Sequence, residues 1–150
     1  MKVLLDTNIL VRLAQPATPA AATAVEALDH IGKIGGRFTI VPQVLYEYWV
    51  VCTRPVDQNG LDHRVTHVSR DIERMKKIFA FLRDERSIFE QWHTLVHEKE
   101  ARGKPAHDAR LVAAMMRHGV EYILTFNDKD FQRYDAINVL HPETVKSVLS

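Results

Sequence analysis

Short apolar runs alternate with longer segments of helical periodicity, and this alternation limits the fold more than any other feature of the chain. Residues 2–5 and 38–41 predict strands, and residues 20–34, with apolar side chains at helical spacing, predict a helix between them. Gly35 and Gly36 end that helix. Strands joined through helices predict an α/β fold, with a central, mostly parallel β-sheet covered by helices.

The rest of the chain continues the same pattern. The remaining predicted elements are a helix that begins at Pro42, a helix over 71–82, a short strand at 87–88, a helix around Trp92 and Leu95, a helix over 108–118 that Gly119 caps, and strands over 122–125 and 137–140. No repeat or linker interrupts them. The chain therefore predicts a single domain over residues 1–150.

Charge, cysteine content and hydropathy exclude some classes of protein but do not indicate a function. A formal net charge of +1 excludes strong global basicity, although a local basic patch can still bind phosphates. Cys52 is the one cysteine, so no internal disulfide can form, and we expect a cytoplasmic protein. No apolar run approaches the length that a membrane span needs, and the N-terminus does not resemble a signal peptide.

Acidic residues follow several of the predicted elements. Asp6 comes directly after the first strand, Glu47 follows the second strand by about one and a half helical turns, and Asp108 opens a helix. The segment "TFNDKDF" places Asn127, Asp128 and Asp130 after a later strand. Ligands of parallel sheets bind outside the carboxyl ends of the strands, so these side chains are candidates for one site.

Each of these residues also has a purely structural interpretation. Asp6 could cap a helix that begins near Asn8, and Asp108 could stabilise a helix N-terminus. Asn127 and Asp128 could make a turn, and Glu47 could be an exposed helix residue. Together they indicate more, because carboxylates in one cleft repel one another unless a divalent cation neutralises them. Oxygen ligands without cysteine favour Mg²⁺ or Mn²⁺. A metal held in this way suits phosphodiester hydrolysis.

Four segments carry a resemblance to a known family. "LLDTNIL", "VPQVLYEYW", "HDARLVAAM" and "ILTFNDKDF" resemble the signature segments of PIN domains in order and spacing, most closely those of VapC-like toxin ribonucleases. The resemblance implies a parallel sheet sandwiched by α-helices and a Mg²⁺-dependent endoribonuclease activity. It implies that Asp6, Glu47 and Asp108 are catalytic metal ligands.

The fourth catalytic position of the family is open in this chain. The resemblance implies Asn127, with Asp128 and Asp130 as neighbours that could replace or support it. Thr7 and Asn8 are supporting candidates, because a hydroxyl and an amide can hold the Asp6 carboxylate or its water network.

The resemblance also implies partners. VapC-like toxins pair with a cognate antitoxin, for which we expect a flexible tail across the acidic cleft. A homodimer is expected as well, with Tyr46, Trp49 and Phe81 as candidates for a two-fold contact.

Basic residues near the acidic set are candidates for binding the RNA backbone. They are Arg12, Lys104 and Arg110, and a solvated charged surface is the alternative. His63/His67 and His93/His97 have the i,i+4 spacing of a metal-binding helix face, but neither pair has a recognisable third ligand.

Two other functions compete with the ribonuclease hypothesis. One is a non-catalytic PIN-like module that binds RNA or a protein. The other is a phosphatase of the haloacid dehalogenase type, which also begins with a strand-end aspartate but needs a second carboxylate two residues later. Position 8 is Asn, which disfavours the phosphatase.

Overall fold

A computed structural model describes residues 1–150, and its centre is one sheet of five parallel strands. The strands are Lys2–Leu5 (β1), Arg37–Ile40 (β2), Ala80–Phe81 (β3), Tyr122–Leu124 (β4) and Asn138–Leu140 (β5). Their order is β3-β2-β1-β4-β5, and every neighbouring pair is parallel. The predicted α/β class is confirmed, and the sheet is parallel throughout.

Seven helices cover this sheet. They are Thr7–Leu13 (α1), Pro19–Lys33 (α2), Pro42–Thr53 (α3), Val65–Ile78 (α4), Arg86–Glu98 (α5), Pro105–His118 (α6) and Val145–Val148 (α7). One group contains α1, α2, α3, α4 and α7, and α5 packs on α6 as a second group. The connections from β1 through β2 to β3 run across the sheet in one direction, and the connection from β3 to β4 runs back in the other, so right-handed crossovers place these groups on opposite faces. None of the helices combines the length and the apolar character needed to cross a membrane.

The central strand is β1, which lies between β2 and β4. Val3 pairs with Phe38 on one side and with Tyr122 on the other. Val3, Leu4 and Leu5 are fully buried, as a parallel strand covered on both faces requires. The strand order reverses at β1 and β4, so a crevice forms at their carboxyl ends.

Local signals fix the ends of several helices. Asp6 is the N-cap of α1 and accepts a hydrogen bond from the Thr7 backbone N at 2.7 Å. The Thr18 hydroxyl caps α2 in the same way by accepting from the backbone N of Ala21. Gly119 ends α6 at φ +65°, in the left-handed region that glycine adopts without strain.

One predicted helix has different bounds, and one predicted strand is wrong. The helix expected over 71–82 is α4, which begins earlier and ends at Ile78, because Phe79 is extended and leads into β3. The short strand expected at 87–88 is the first turn of α5. The edge pairing of Ala80 with Thr39 stabilises a strand where the helical periodicity of the sequence continues.

Candidate active site

An open cleft of about 770 Å³ lies at the carboxyl ends of β1 and β4. It brings together most of the residues that the sequence singles out. Those that line it are Asp6, Thr7, Asn8, Arg12, Glu47, Lys104, Asp108, Asn127 and Asp130. Asp128 and Arg110 do not line it.

Asp6 is the most deeply placed carboxylate residue of the cleft, and it is 7% exposed. Its Oδ1 accepts from the Thr7 backbone N, and its Oδ2 accepts from the Thr125 hydroxyl at 2.7 Å. The Asn8 amide adds a longer contact to Oδ2 at 3.4 Å. The predicted role of Asp6 as a helix cap is confirmed, and the same carboxylate also lines the cleft.

Asn8 joins the first turn of α1 to the loop after β4. Its Nδ2 donates to the Thr125 hydroxyl oxygen at 3.1 Å, and its Oδ1 accepts from the Phe126 backbone N at 3.1 Å. The Thr125 oxygen also accepts from the backbone N of Asn127 at 3.0 Å. This network fixes the loop that carries Asn127 relative to Asp6.

Glu47 is held at both of its carboxylate oxygens. Oε2 accepts from the Thr7 hydroxyl at 2.7 Å, and Oε1 accepts from Nε2 of Gln43 at 3.1 Å. Gln43 lies one helical turn earlier on α3, and it is buried. These two donors orient the Glu47 carboxylate.

Asp108 and Asp130 differ from Asp6 and Glu47, whose carboxylates accept hydrogen bonds at both oxygens. Neither side chain accepts a hydrogen bond or forms an ion pair with another protein group within the usual distance limits. Asp108 lies in the first turn of α6, and Asp130 ends a short 3₁₀ turn. No donor of the protein therefore holds either carboxylate in one orientation.

The carboxylates of the cleft interact electrostatically. Burial raises the pKa of Asp6 to about 6, against hydrogen bonds from Thr125 and Thr7 that lower it, while the charges of Glu47 and Asp130 add to the rise. Burial also raises the pKa of Asp108 to about 6, and repulsion from Asp130, Asp6 and Glu47 increases the rise. The four carboxylates are thus close enough for their charges to repel one another.

The donor chemistry of this set fits a hard divalent cation. All candidate ligands are oxygens, and the mutual repulsion of the carboxylates is the kind that a cation relieves. As the side chains stand, no three acidic, histidine or cysteine groups lie close enough together to hold a metal ion. Hydrogen bonds hold Asp6 and Glu47, so a change that brought three ligands together would involve Asp108 and Asp130, which no protein donor holds.

Two residues of the site were missed from the sequence. Thr125 and Gln43 carry no charge, yet they hold Asp6 and Glu47. A polar residue that directly follows a buried strand was the available signal for Thr125, and the i,i+4 spacing to Glu47 was the signal for Gln43.

The histidine pairs do not extend the site. His63 precedes α4, so it does not share a helix face with His67, although their rings are 5.2 Å apart. His93 and His97 are exposed on α5. No group of three possible ligands includes any of them.

An apolar groove of about 530 Å³ adjoins the acidic cleft, and the two share Tyr46 and Val50. Trp49 and Phe81 also line the groove, and Tyr46 is 62% exposed. The sequence predicted a helix at Phe81, but Phe81 lies on β3. The three residues predicted for a two-fold contact therefore do lie on one surface.

Comparison with known proteins identifies the fold. The family model described as PIN domain matches residues 3–137. No curated protein sequence matches the chain.

Several solved structures share the fold. VapBC2 from Rickettsia felis, solved bound to a promoter DNA fragment, is 15% identical with a TM-score of 0.67, over 94% of this chain and 98% of that one. A toxin–antitoxin complex from Klebsiella pneumoniae is 22% identical with a TM-score of 0.65, over 93% and 97%. VapC20 from Mycobacterium tuberculosis, a Sarcin-Ricin loop cleaving toxin, is 18% identical with a TM-score of 0.58, over 81% and 86%. At these identities the likeness is one of fold.

Proposed function

The chain belongs to the PIN domain family, and from that premise we propose that it is a metal-dependent endoribonuclease that acts as the toxin of a toxin–antitoxin pair. The observation that carries the proposal is the convergence of Asp6, Glu47, Asp108 and Asp130 on one cleft from four separate segments of the chain. The rise in the pKa values of Asp6 and Asp108 supports it, because functional sites concentrate such perturbed groups.

Mg²⁺ is the proposed cofactor, and Mn²⁺ suits the same oxygen ligands. Asp6, Glu47 and Asp108 would hold the ion, with Asn127 or Asp130 at the fourth position. When bound, the ion supplies charge stabilisation at the scissile phosphate and activation of the attacking water. The protein contributes orientation, because Thr7 fixes Glu47 and Thr125 fixes Asp6.

Two cations of the cleft are proposed to bind the RNA backbone. Arg12 and Lys104 are exposed, line the cleft, and form no ion pair with a carboxylate. Arg12 donates only to the Gln15 side chain, at 3.2 Å. Because phosphate contacts position a nucleic acid without reading its sequence, these residues would set affinity rather than target choice.

The proposed partners are a cognate antitoxin and a second copy of the chain. Solved relatives of this fold include toxin–antitoxin complexes, which supports the first. The surface that contains Tyr46, Trp49 and Phe81 supports the second. An antitoxin tail that carries an arginine would pair with the cleft carboxylates, since guanidinium binds carboxylate at two points. We propose the cytoplasm as the site of action.

A non-catalytic PIN-like module that binds RNA or a protein is the second candidate. The observation that favours it is the lack of three side chains already placed at metal-binding distance. The acidic cleft weighs against it, because uncompensated carboxylates in one site are costly without a use. One experiment separates the two functions.

The test is incubation of purified protein with total RNA, in Mg²⁺ or in excess EDTA. Asp108→Asn removes a proposed ligand charge at nearly constant volume, and Asp135→Asn is the matched control at an exposed carboxylate outside the cleft. We expect cleavage by the wild type and by Asp135→Asn in Mg²⁺ only, and none by Asp108→Asn. RNA binding without cleavage would favour the module, and cleavage in EDTA would contradict the metal-dependent mechanism.

A further inference from the structure

The amide of Gln43 connects three parts of the site through a set of hydrogen bonds that the sequence does not suggest. Its Nε2 donates to Oε1 of Glu47 at 3.1 Å and to the backbone O of His107 at 2.9 Å. Its Oε1 accepts from Nη1 of Arg110 at 3.0 Å. Gln43 is 6% exposed, so these partners replace water around the amide.

The chemistry of the partners allows one orientation of this amide. The Glu47 carboxylate and the His107 carbonyl only accept hydrogen bonds, whereas the Arg110 guanidinium only donates them. A rotated amide would place its oxygen against two acceptors and its NH₂ group against a donor. All three partners therefore favour the orientation in which the NH₂ group of Gln43 faces Glu47, and Arg110 is the partner that holds the amide oxygen.

Arg110 is itself anchored outside the cleft. Its Nη2 donates to Oδ2 of Asp84 at 3.2 Å, in the loop between β3 and α5, while Nη1 serves Gln43. It does not line the cleft in which RNA would bind. A guanidinium serves two acceptors in a fixed geometry, which a lysine ammonium does not reproduce.

We infer that Arg110 is a positioning residue rather than an RNA contact. It locks Gln43, which orients the Glu47 carboxylate and holds the backbone of His107, the residue before Asp108. Glu47 on α3 and Asp108 on α6, two proposed metal ligands, are thereby held at fixed positions relative to each other. The inference deepens the proposed function, on which its catalytic consequence rests.

The test compares Arg110→Ala with Arg117→Ala. Arg117 is a matched control, because it lies on the same helix and pairs with Glu85, in the same loop as Asp84, without touching Gln43. Three quantities are measured: the side-chain NH₂ resonances of Gln43 in metal-free protein, assigned with Gln43→Met; the affinity for Mn²⁺ by calorimetry; and kcat and KM for RNA cleavage.

We expect Arg110→Ala to shift the Gln43 resonances and to weaken Mn²⁺ binding by roughly 10- to 100-fold, the usual loss when a residue that supports a metal ligand is removed. kcat should fall over a similar range with KM little changed, because Arg110 does not touch the RNA. Arg117→Ala should leave all three quantities at wild-type values. Arg110→Lys should give intermediate values, and it replaces Arg110→Ala if that variant does not fold.

Other outcomes overturn the inference. Unchanged Gln43 resonances in Arg110→Ala would show that the amide is not locked by the guanidinium. A raised KM with unchanged Mn²⁺ affinity would make Arg110 an RNA contact, and equal losses in Arg117→Ala would reduce its role to general stability. If the wild type does not cleave RNA, the proposed function fails, while the resonances still decide the orientation of Gln43.

Discussion

The hydroxyl of Thr7 donates to Oε2 of Glu47 at 2.7 Å, which joins the first turn of α1 to the middle of α3 across 40 positions of sequence. The backbone N of the same threonine donates to Asp6. Thr7 thus orients two carboxylates of the cleft, one through its main chain and one through its side chain.

Replacing Thr7 by valine should separate these two roles. Thr7→Val keeps the shape and the backbone bond to Asp6 but removes the hydroxyl, so Glu47 loses a donor. We expect Mn²⁺ affinity and RNA cleavage to fall by roughly 10- to 100-fold, with a loss of about 1 kcal/mol in the free energy of unfolding. Thr39→Val is the control, since the buried Thr39 hydroxyl donates to the Val3 carbonyl away from the cleft. Equal activity in both variants would contradict a role for the hydroxyl.

Asp128 and Asp130 provide a second comparison, because they begin and end the same 3₁₀ turn and only Asp130 lines the cleft. The charge of Asp130 also raises the pKa of Asp108. Asp130→Asn should therefore reduce cleavage and lower the pKa of Asp108, measured by NMR titration in EDTA, while Asp128→Asn should change neither. Inactivity of Asp128→Asn alone would move the fourth acidic position to Asp128. Asn127→Ala, measured in parallel, shows whether the amide fills that position instead.

The raised pKa of Asp6 makes the stability of the metal-free protein pH-dependent. Between the ordinary value of 3.8 and the folded value of about 6, the folded state binds more protons than the unfolded state, so stability falls as the pH rises through this window. At neutral pH the ionised carboxylate costs on the order of 3 kcal/mol. We expect wild type in EDTA to lose more stability than Asp6→Asn between pH 3.5 and pH 7.5, measured by urea unfolding. Parallel curves for the two proteins would contradict the burial effect.

A bound cation should reverse that cost. Ligands that bind only the folded state raise its stability, by about 2.7 kcal/mol at a concentration 100 times the Kd. We expect Mg²⁺ to raise the Tm of the wild type and of Asp135→Asn, but not that of Asp6→Asn or Asp108→Asn. An equal rise in all four proteins would indicate binding away from the cleft.

The toxin proposal is tested in cells. Expression of the chain alone should arrest growth of a bacterial host, and Asp6→Asn should relieve the arrest at equal protein level. Co-expression with the small open reading frame beside the gene should also relieve it and yield a complex that survives size-exclusion chromatography. Harmless accumulation of the wild type without a partner would contradict the toxin role and leave a housekeeping nuclease or a binding module.

The sequence predicts the elements of this fold well where a single signal dominates. Residues 2–5 form β1 as predicted, because Val3, Leu4 and Leu5 make the continuous apolar run of a buried parallel strand. The strand β3 was missed, since Phe79 and Leu82 continue the helical periodicity of α4 and pack against the core from a different backbone conformation. Pairing with β2 decides the structure there, and no local pattern reports it.

The charged residues of the candidate site could be predicted from the sequence, but the neutral residues that orient them could not. Charged residues at the ends of strands are conspicuous, so Asp6 and the loop after β4 could be found. The hydrogen bonds that orient them depend on neutral side chains, such as Gln43 and Thr125, whose partners are distant in sequence. The positive charge of Arg110 predicted a contact with RNA. Its hydrogen bonds to Gln43 and Asp84 join residues that are distant in sequence, so no sequence pattern predicts them.

The pairing of β1 with β4 has a consequence for biosynthesis. Val3 and Tyr122 are neighbours in the sheet, and Asp6 accepts from Thr125 across 119 positions. Contacts of such long range form late, because closing a large loop must precede them. A nascent chain on the ribosome carries Asp6 and Glu47 before it carries Asp108 and Thr125, and a fragment that stops short of β4 lacks Thr125, Asn127 and Asp130 and leaves β1 paired with β2 on one side only. The order of synthesis therefore keeps the acidic site incomplete until the segment around Thr125 has emerged and folded onto the first strand.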